Sequence, residues 1–152
     1  MQPGRPTNHV FTARVTYGGP DRFDVTRKSG GPKGEPFAPS WGLLRPYLEL
    51  LQRIGKADPT TDPATWIRLH KERDRLWADY VPAFVREMRT SYRRNRPAWD
   101  ALLALPRVAL VCYCEYGGAY CHRTLLARDI LPKLGAVYGG ELPEDEQRRG
   151  TP

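Results

Sequence analysis

Apolar and polar positions first alternate from Val10 to Tyr17, with Phe11, Ala13, Val15 and Tyr17 on one side and Thr12, Arg14 and Thr16 on the other. A period of two predicts a half-buried strand. Gly18-Gly19-Pro20-Asp21 interrupts it, and Phe23-Asp24-Val25 predicts a short second extended piece. Thr26–Gly34 is too rich in glycine and charge for a regular element. Ser40 is placed to cap a helix running from Trp41 to Gln52. After a polar break at Lys56–Pro63, Trp66, Leu69, Leu76, Trp77, Tyr80, Phe84 and Met88 recur at three- and four-residue spacings. That period predicts a long helix from Ala64 to about Asn95, kinked or divided at Pro82. A further helical turn is predicted at Trp99–Leu105.

Arg107–Cys114 is a continuous apolar run, the pattern of a central strand covered on both faces. Gly117 and Gly118 close it, and Cys121–Leu131 resumes helical spacing until Pro132 stops it. Residues 1–8 and the charged stretch after Leu142 read as flexible tails. The order of strands and helices predicts an α/β fold: a single Rossmann-like domain over residues 9–142, with a mostly parallel central sheet and a helical insertion over residues 64–104.

Composition changes this picture in three ways. Fifteen prolines and 14 glycines predict long irregular loops. Lys plus Arg number 24 against 17 Asp plus Glu, and the net charge of +7 suits an anionic small molecule or nucleic acid as partner. All three cysteines fall between Cys112 and Cys121, which favours a reduced local site over a disulfide framework. No apolar run approaches the ~20 residues that span a bilayer. The first residues also lack the apolar core of a signal peptide. A cytoplasmic protein without a membrane partner is expected, in an oligomeric state the sequence leaves open.

The chemistry concentrates at Cys112–Arg123. In open α/β sheets ligands settle beyond the carboxyl ends of the strands, where loops meet helix N-termini and free N–H groups favour an anion. Arg123 in a first helical turn opposes the dipole unless an anion or carboxylate offsets it, which makes it a candidate anion ligand. Cys121 at the helix start, its pKa depressed by the dipole, His122 and Arg123, is a candidate nucleophile, with His122 as acid or base. A packed thiol beside a capping histidine is the competing reading. Cys112 is assigned to the core, while Cys114 reaches the loop as a second catalytic candidate. Glu115 is placed to pair with Arg123 or Arg27, or else to be a solvated loop carboxylate. Gly117 and Gly118 let a ligand approach the backbone.

Two sharper motifs are weighed against the spacing. The cysteine-to-arginine interval of a phosphatase loop is absent, because the positions that would need arginine are Tyr120 and Ala127. Structural zinc pairs its ligands across separated knuckles, whereas Cys121 and His122 are adjacent. Neither a metal nor a cofactor is therefore expected. Elsewhere, Arg27 and Lys28 before Ser29-Gly30-Gly31 resemble a phosphate nest or a flexible turn. Trp41 beside Ser40 is a stacking platform for a base or a core anchor. The arginines from Arg86 to Arg96 suit a nucleic-acid backbone or a solvated face.

Cys112-Tyr113-Cys114 ending a strand, then Cys121-His122-Arg123 opening a helix, resembles the uncharacterised family known as domain of unknown function 488. Phe23–Ser29, Phe37-Ala38-Pro39-Ser40-Trp41 and Gly135–Leu142 are similar to its phage and actinobacterial-type members. The resemblance implies an α/β fold in which Asp24 and Arg27 approach the Cys-His-Arg helix. It carries no established reaction. The expected function is to bind or act on a phosphorylated small molecule, a nucleotide or a nucleic-acid end. The alternative is a non-enzymatic nucleic-acid-binding or phage-encoded interaction protein.

Overall fold

A computed structural model describes residues 6–114, 117 and 120–149 of the chain. It divides into two compact units, Met1–Ala38 with Met88–Pro152, and Pro39–Glu87.

The first unit is built on four parallel strands, β1 (His9–Arg14), β2 (Arg22–Asp24), β3 (Arg107–Cys112) and β4 (Val137–Glu141), in the order β2-β3-β1-β4. The α/β fold with its parallel sheet is thus the one the pattern predicts. β3 lies between two partners, and every residue after Arg107 is buried, as its unbroken apolar run requires. Val10, Ala13, Val108, Leu110 and Val111 form much of the core. β1 and β3 keep strict register from His9↔Arg107 to Arg14↔Cys112, whereas β1 and β4 slip at Val10/Phe11.

Phe37 and Trp99 meet beside the sheet, their ring centroids 4.9 Å apart. Trp99 lies in the helix Arg96–Leu103, which joins the long helix to β3. Asn8, expected in a loose tail, is buried and donates to the Leu102 and Leu105 carbonyls at 3.1 and 2.6 Å. The rest of that tail is described only at Pro6 and Thr7.

β4 falls in a stretch with no predicted strand, and the segment after it is not a frayed tail. Glu144–Arg149 is helical and buries Gln147. The Gln147 side chain accepts from the Arg14 N–H at 2.8 Å and donates to the Leu142 carbonyl at 2.8 Å. Those bonds pin the segment to the ends of β1 and β4.

The second unit pairs the helix Trp41–Lys56 with the longer helix Pro63–Arg94, which runs on through Glu87. The longer helix passes Pro82 without dividing. Ser40 caps the first helix, accepting from the Leu43 N–H at 3.2 Å, as its residue type predicts. Tyr47, Trp77, Tyr80 and Phe84 stack into an aromatic ladder inside the unit.

Candidate functional site

Because all four strands run the same way, their last residues share one edge of the sheet: Arg14, Asp24, Cys112 and Glu141. This is the edge at which open α/β sheets bind ligands. A helical turn, His122–Thr124, begins beside it and continues as a π-helical turn over Leu125–Ile130. The expected single helix is therefore wound three ways, ending in a tighter turn at Leu131–Leu134. π-turns inside helices recur at functional sites.

Cys121 occupies the N-cap position with extended backbone, yet its side chain caps nothing. It turns inward instead. Arg123 follows it and is fully buried. Its Nη1 donates to the Cys112 sulfur at 2.9 Å, to the Cys114 carbonyl at 3.1 Å and to the Cys121 sulfur at 3.7 Å. Its other edge lies against Glu141, with Nε to Oε1 at 3.3 Å and Nη2 to Oε2 at 2.9 Å. The Gly117 N–H donates to the same Oε2 at 3.0 Å, from a backbone with φ of 92° that suits glycine alone.

The expected offset for Arg123 exists, then, but it is an internal carboxylate. The guanidinium faces the protein's own thiols rather than an outside anion.

His122 is buried as well, and its Nε2 lies 2.8 Å from the Val25 carbonyl. A carbonyl only accepts, so Nε2 carries a proton, and Nδ1 lies 4.0 Å from the Cys121 sulfur. Burial lowers the His122 pKa, against the opposing pull of Cys112.

The three thiols are free and hydrogen-bonded to one another. Burial opposes ionisation of Cys112. S–H donors from Cys114 and Cys121, followed by the charges of His122 and then Arg123, outweigh it and bring Cys112 well below the ordinary thiol range. Cys114, its proton held by Cys112, is pushed up to about 12. Cys121 is also raised, first by burial and then by its neighbouring sulfurs. The depression expected at Cys121 falls on Cys112, because side-chain partners at the strand end outweigh the dipole of a short helical turn.

Glu141 stays ionised: Thr12 and Arg123 hold its pKa down against the burial that would raise it. The Arg123 pKa is raised by Cys112, Cys121 and Glu141 despite its own desolvation.

The Cys112 and Cys121 sulfurs and a His122 ring nitrogen lie within 4.8 Å of one another, close enough to share a metal ion. Arg123 Nη1 already stands against both sulfurs, so a divalent cation there would meet a buried guanidinium. Arg123 fills the place of the cluster's cation.

The remaining candidates divide between site and scaffold. Asp24 ends β2, and its Oδ2 accepts from the Ser29 hydroxyl at 2.5 Å, while the Tyr113 hydroxyl donates to the Ser29 oxygen at 3.0 Å. Lys28 sits over the Tyr113 ring, 5.4 Å from its centroid. These groups form a polar rim next to Cys112 and Cys114. Arg27 turns to the Ala38 carbonyl at 3.2 Å and to Glu35 at 3.6 Å, bracing its own loop. Ser40 and Trp41 belong to the other unit. There Ser40 donates to Glu87 at 2.5 Å, and Arg45 lies over the half-exposed Trp41 ring. Glu115 and Gly118 lie outside the described residues.

Sequence reasoning misses Glu141, and it misses Cys112 as more than core. Nothing local marks either residue. The available signal was Arg123 itself, a cation in a first helical turn that demanded a carboxylate.

A family model described as the active DUF488-N3 subclade, DUF488-N3a, matches residues 35–134. No curated protein and no solved structure matches the chain. The matched span covers about two thirds of the chain and contains every cysteine, His122 and Arg123. The chain therefore belongs to the family of domain of unknown function 488.

Proposed function

We propose that this protein is a thiol-dependent enzyme in which Cys112 is held as a thiolate and attacks a small anionic, phosphorylated or nucleotide-like substrate at the carboxyl edge of the sheet. The observation that carries this reading is the 2.9 Å contact between Arg123 Nη1 and the Cys112 sulfur, with Glu141 fixing the guanidinium from behind. A thiolate is the nucleophile of cysteine chemistry, and a fixed cation supplies it near neutral pH. Cys114 and Cys121 donate S–H bonds to it, and the half-buried Cys114 marks the side from which substrate arrives. Lys28 and Tyr113 on the rim meet the substrate's anionic group. The subclade is described as active, which agrees with a chemical role.

No described helix is long and apolar enough to cross a membrane. Three free thiols suit the reducing cytoplasm.

The test is alkylation with iodoacetamide near neutral pH, mapped by mass spectrometry, with and without a panel of nucleotides and sugar phosphates. Selective labelling of Cys112, with protection by one class of phosphorylated compound that weakens in Lys28→Ala, is expected. Equal labelling of all three cysteines would sink the proposal.

A second reading, nucleic-acid binding, is favoured by one observation: Arg89, Arg93 and Arg94 are exposed along one helix. It requires affinity that falls steeply with salt and is lost on charge reversal at Arg93 and Arg94. The thiol chemistry requires neither.

A further inference from the structure

The Cys112 and Cys121 sulfurs flank one guanidinium nitrogen, at 2.9 and 3.7 Å, and lie within 4.8 Å of each other. The Cys121 side chain makes no cap bond; its sulfur rests 3.7 Å from Arg123 Nη1 and 4.0 Å from His122 Nδ1. Both residues are almost fully buried. Cys112 closes β3 and Cys121 caps the helical turn that starts at His122, so a bridge between them would tie the strand to the helix across residues 113–120.

We propose that Cys112 and Cys121 form a peroxide-reactive pair, in which a hydroperoxide oxidises Cys112 and Cys121 resolves the product as an intramolecular disulfide. The idea rests on the thiolate reading above and deepens it. In the first step the Cys112 thiolate attacks the distal oxygen of the hydroperoxide. The O–O bond breaks, the alkoxide or hydroxide leaves with a proton, and Cys112 becomes a sulfenic acid. Arg123 Nη1, standing at the sulfur, is placed to donate to the oxygen that develops charge. In the second step the Cys121 sulfur attacks the Cys112 sulfur, an S–S bond forms, and the sulfenic oxygen leaves as water with the Cys121 proton. Overall, two thiols and one hydroperoxide give one disulfide, one alcohol or water, and one water.

Closure requires the sulfurs to approach to ~2.05 Å. Rotation of the Cys121 side chain, which makes no cap bond, would shorten that distance. His122 Nδ1, 4.0 Å from the Cys121 sulfur, is placed to relay the departing proton.

The experiment treats the pre-reduced full chain with hydrogen peroxide and follows intact mass, peptide linkage and rate. Loss of two hydrogens is expected, with the peptide of Cys112 joined to that of Cys121. The reaction should run roughly ten-fold faster than free cysteine at neutral pH, because the larger thiolate fraction outweighs its lower nucleophilicity. In Cys121→Ser the disulfide should vanish and dimedone should trap a sulfenic acid on Cys112. A bridge involving Cys114 instead, or a rate no greater than that of free cysteine, overturns the proposal. Selective iodoacetamide labelling of Cys112 without peroxide separates the two claims. If Cys112 labels but no Cys112–Cys121 bridge forms, the pairing alone fails. If Cys112 does not label, both fall.

Discussion

Strand β3 carries an arginine ion pair at each end, and the two pairs differ in almost everything except chemistry. At its start, Arg107 donates to Asp21 at 2.7 Å, reaches Glu146 at 3.3 Å and covers the Phe11 ring at 4.3 Å. Nearly half of the Arg107 side chain remains exposed. At its end, Arg123 pairs with Glu141 at 2.9 Å with its side chain wholly buried, and its remaining donors are turned onto two sulfurs and a carbonyl. Water screens the first pair, so it serves as a surface staple. The second lies where an unpaired charge is intolerable, so each partner fixes the other and both fix the thiols. The contrast teaches that exposure, not the ion pair itself, marks a site.

The largest expected difference comes from breaking each pair. Glu141→Leu leaves Arg123 buried without its carboxylate and should cost ~3–5 kcal/mol in urea unfolding. Arg107→Ala should cost ~1 kcal/mol or less, since the pair is solvent-screened and the cation–π contact is partly exposed. Equal losses would break the comparison.

Gln147 supplies the next effect. It joins Arg14 in β1 to Glu141 and Leu142, at 2.8 Å to the Arg14 N–H and 3.4 Å to Glu141. Gln147→Leu leaves buried polar groups without partners and should cost ~1–3 kcal/mol. It should also broaden the reactivity of Cys112, because Glu141 loses a brace. A stable variant with unchanged labelling would confine Gln147 to a packing role.

The pH limbs give the smallest effects, and they have opposite signs. The Glu141 pKa is lowered from 4.5, so its contribution is present above pH 4.5 and is lost as pH falls through the folded-state value. The stability gap between wild type and Glu141→Gln should therefore narrow in acid. Tyr17, bonded to Asp21 at 2.5 Å at the other end of the sheet, has its pKa raised by burial and by Asp21 from 10.0 to about 12. Its contribution is present below pH 10 and is lost as pH rises towards 12. The gap between wild type and Tyr17→Phe should narrow in alkali. Narrowing on the same side for both would contradict the assignment.

Most of the sheet and helices were legible because their patterns are local. β1 alternates, β3 is apolar throughout, and the long helix repeats its aromatics at helical spacing. β4 was not legible. Val137-Tyr138-Gly139-Gly140-Glu141 contains two glycines, and only the fold shows why one of them is needed: a Cβ on Gly139 would lie 2.2 Å from the Phe11 ring. Gln147 was hidden in a charged stretch that reads as solvated until its bonds to β1 are seen.

The clustering of the cysteines with His122 and Arg123 was legible, but not the partners each would take. Cys121, His122 and Arg123 announce a strand–helix junction, yet no one-dimensional pattern shows that Arg123 folds back onto Cys112 or that Glu141 waits behind it. Nor does it show that the thiol whose pKa is lowered is the one read as core.

The central claim is that Cys112 is the charged sulfur of the cluster. The most direct measurement is an ultraviolet titration of the thiolate absorbance in the reduced protein and in Cys112→Ser, Cys114→Ser and Cys121→Ser. One step well below the usual thiol value of 9.0 is expected in wild type, kept in the Cys114 and Cys121 variants and missing from Cys112→Ser. A wild-type protein with no early step, or an early step that survives Cys112→Ser and disappears in another variant, would contradict the account.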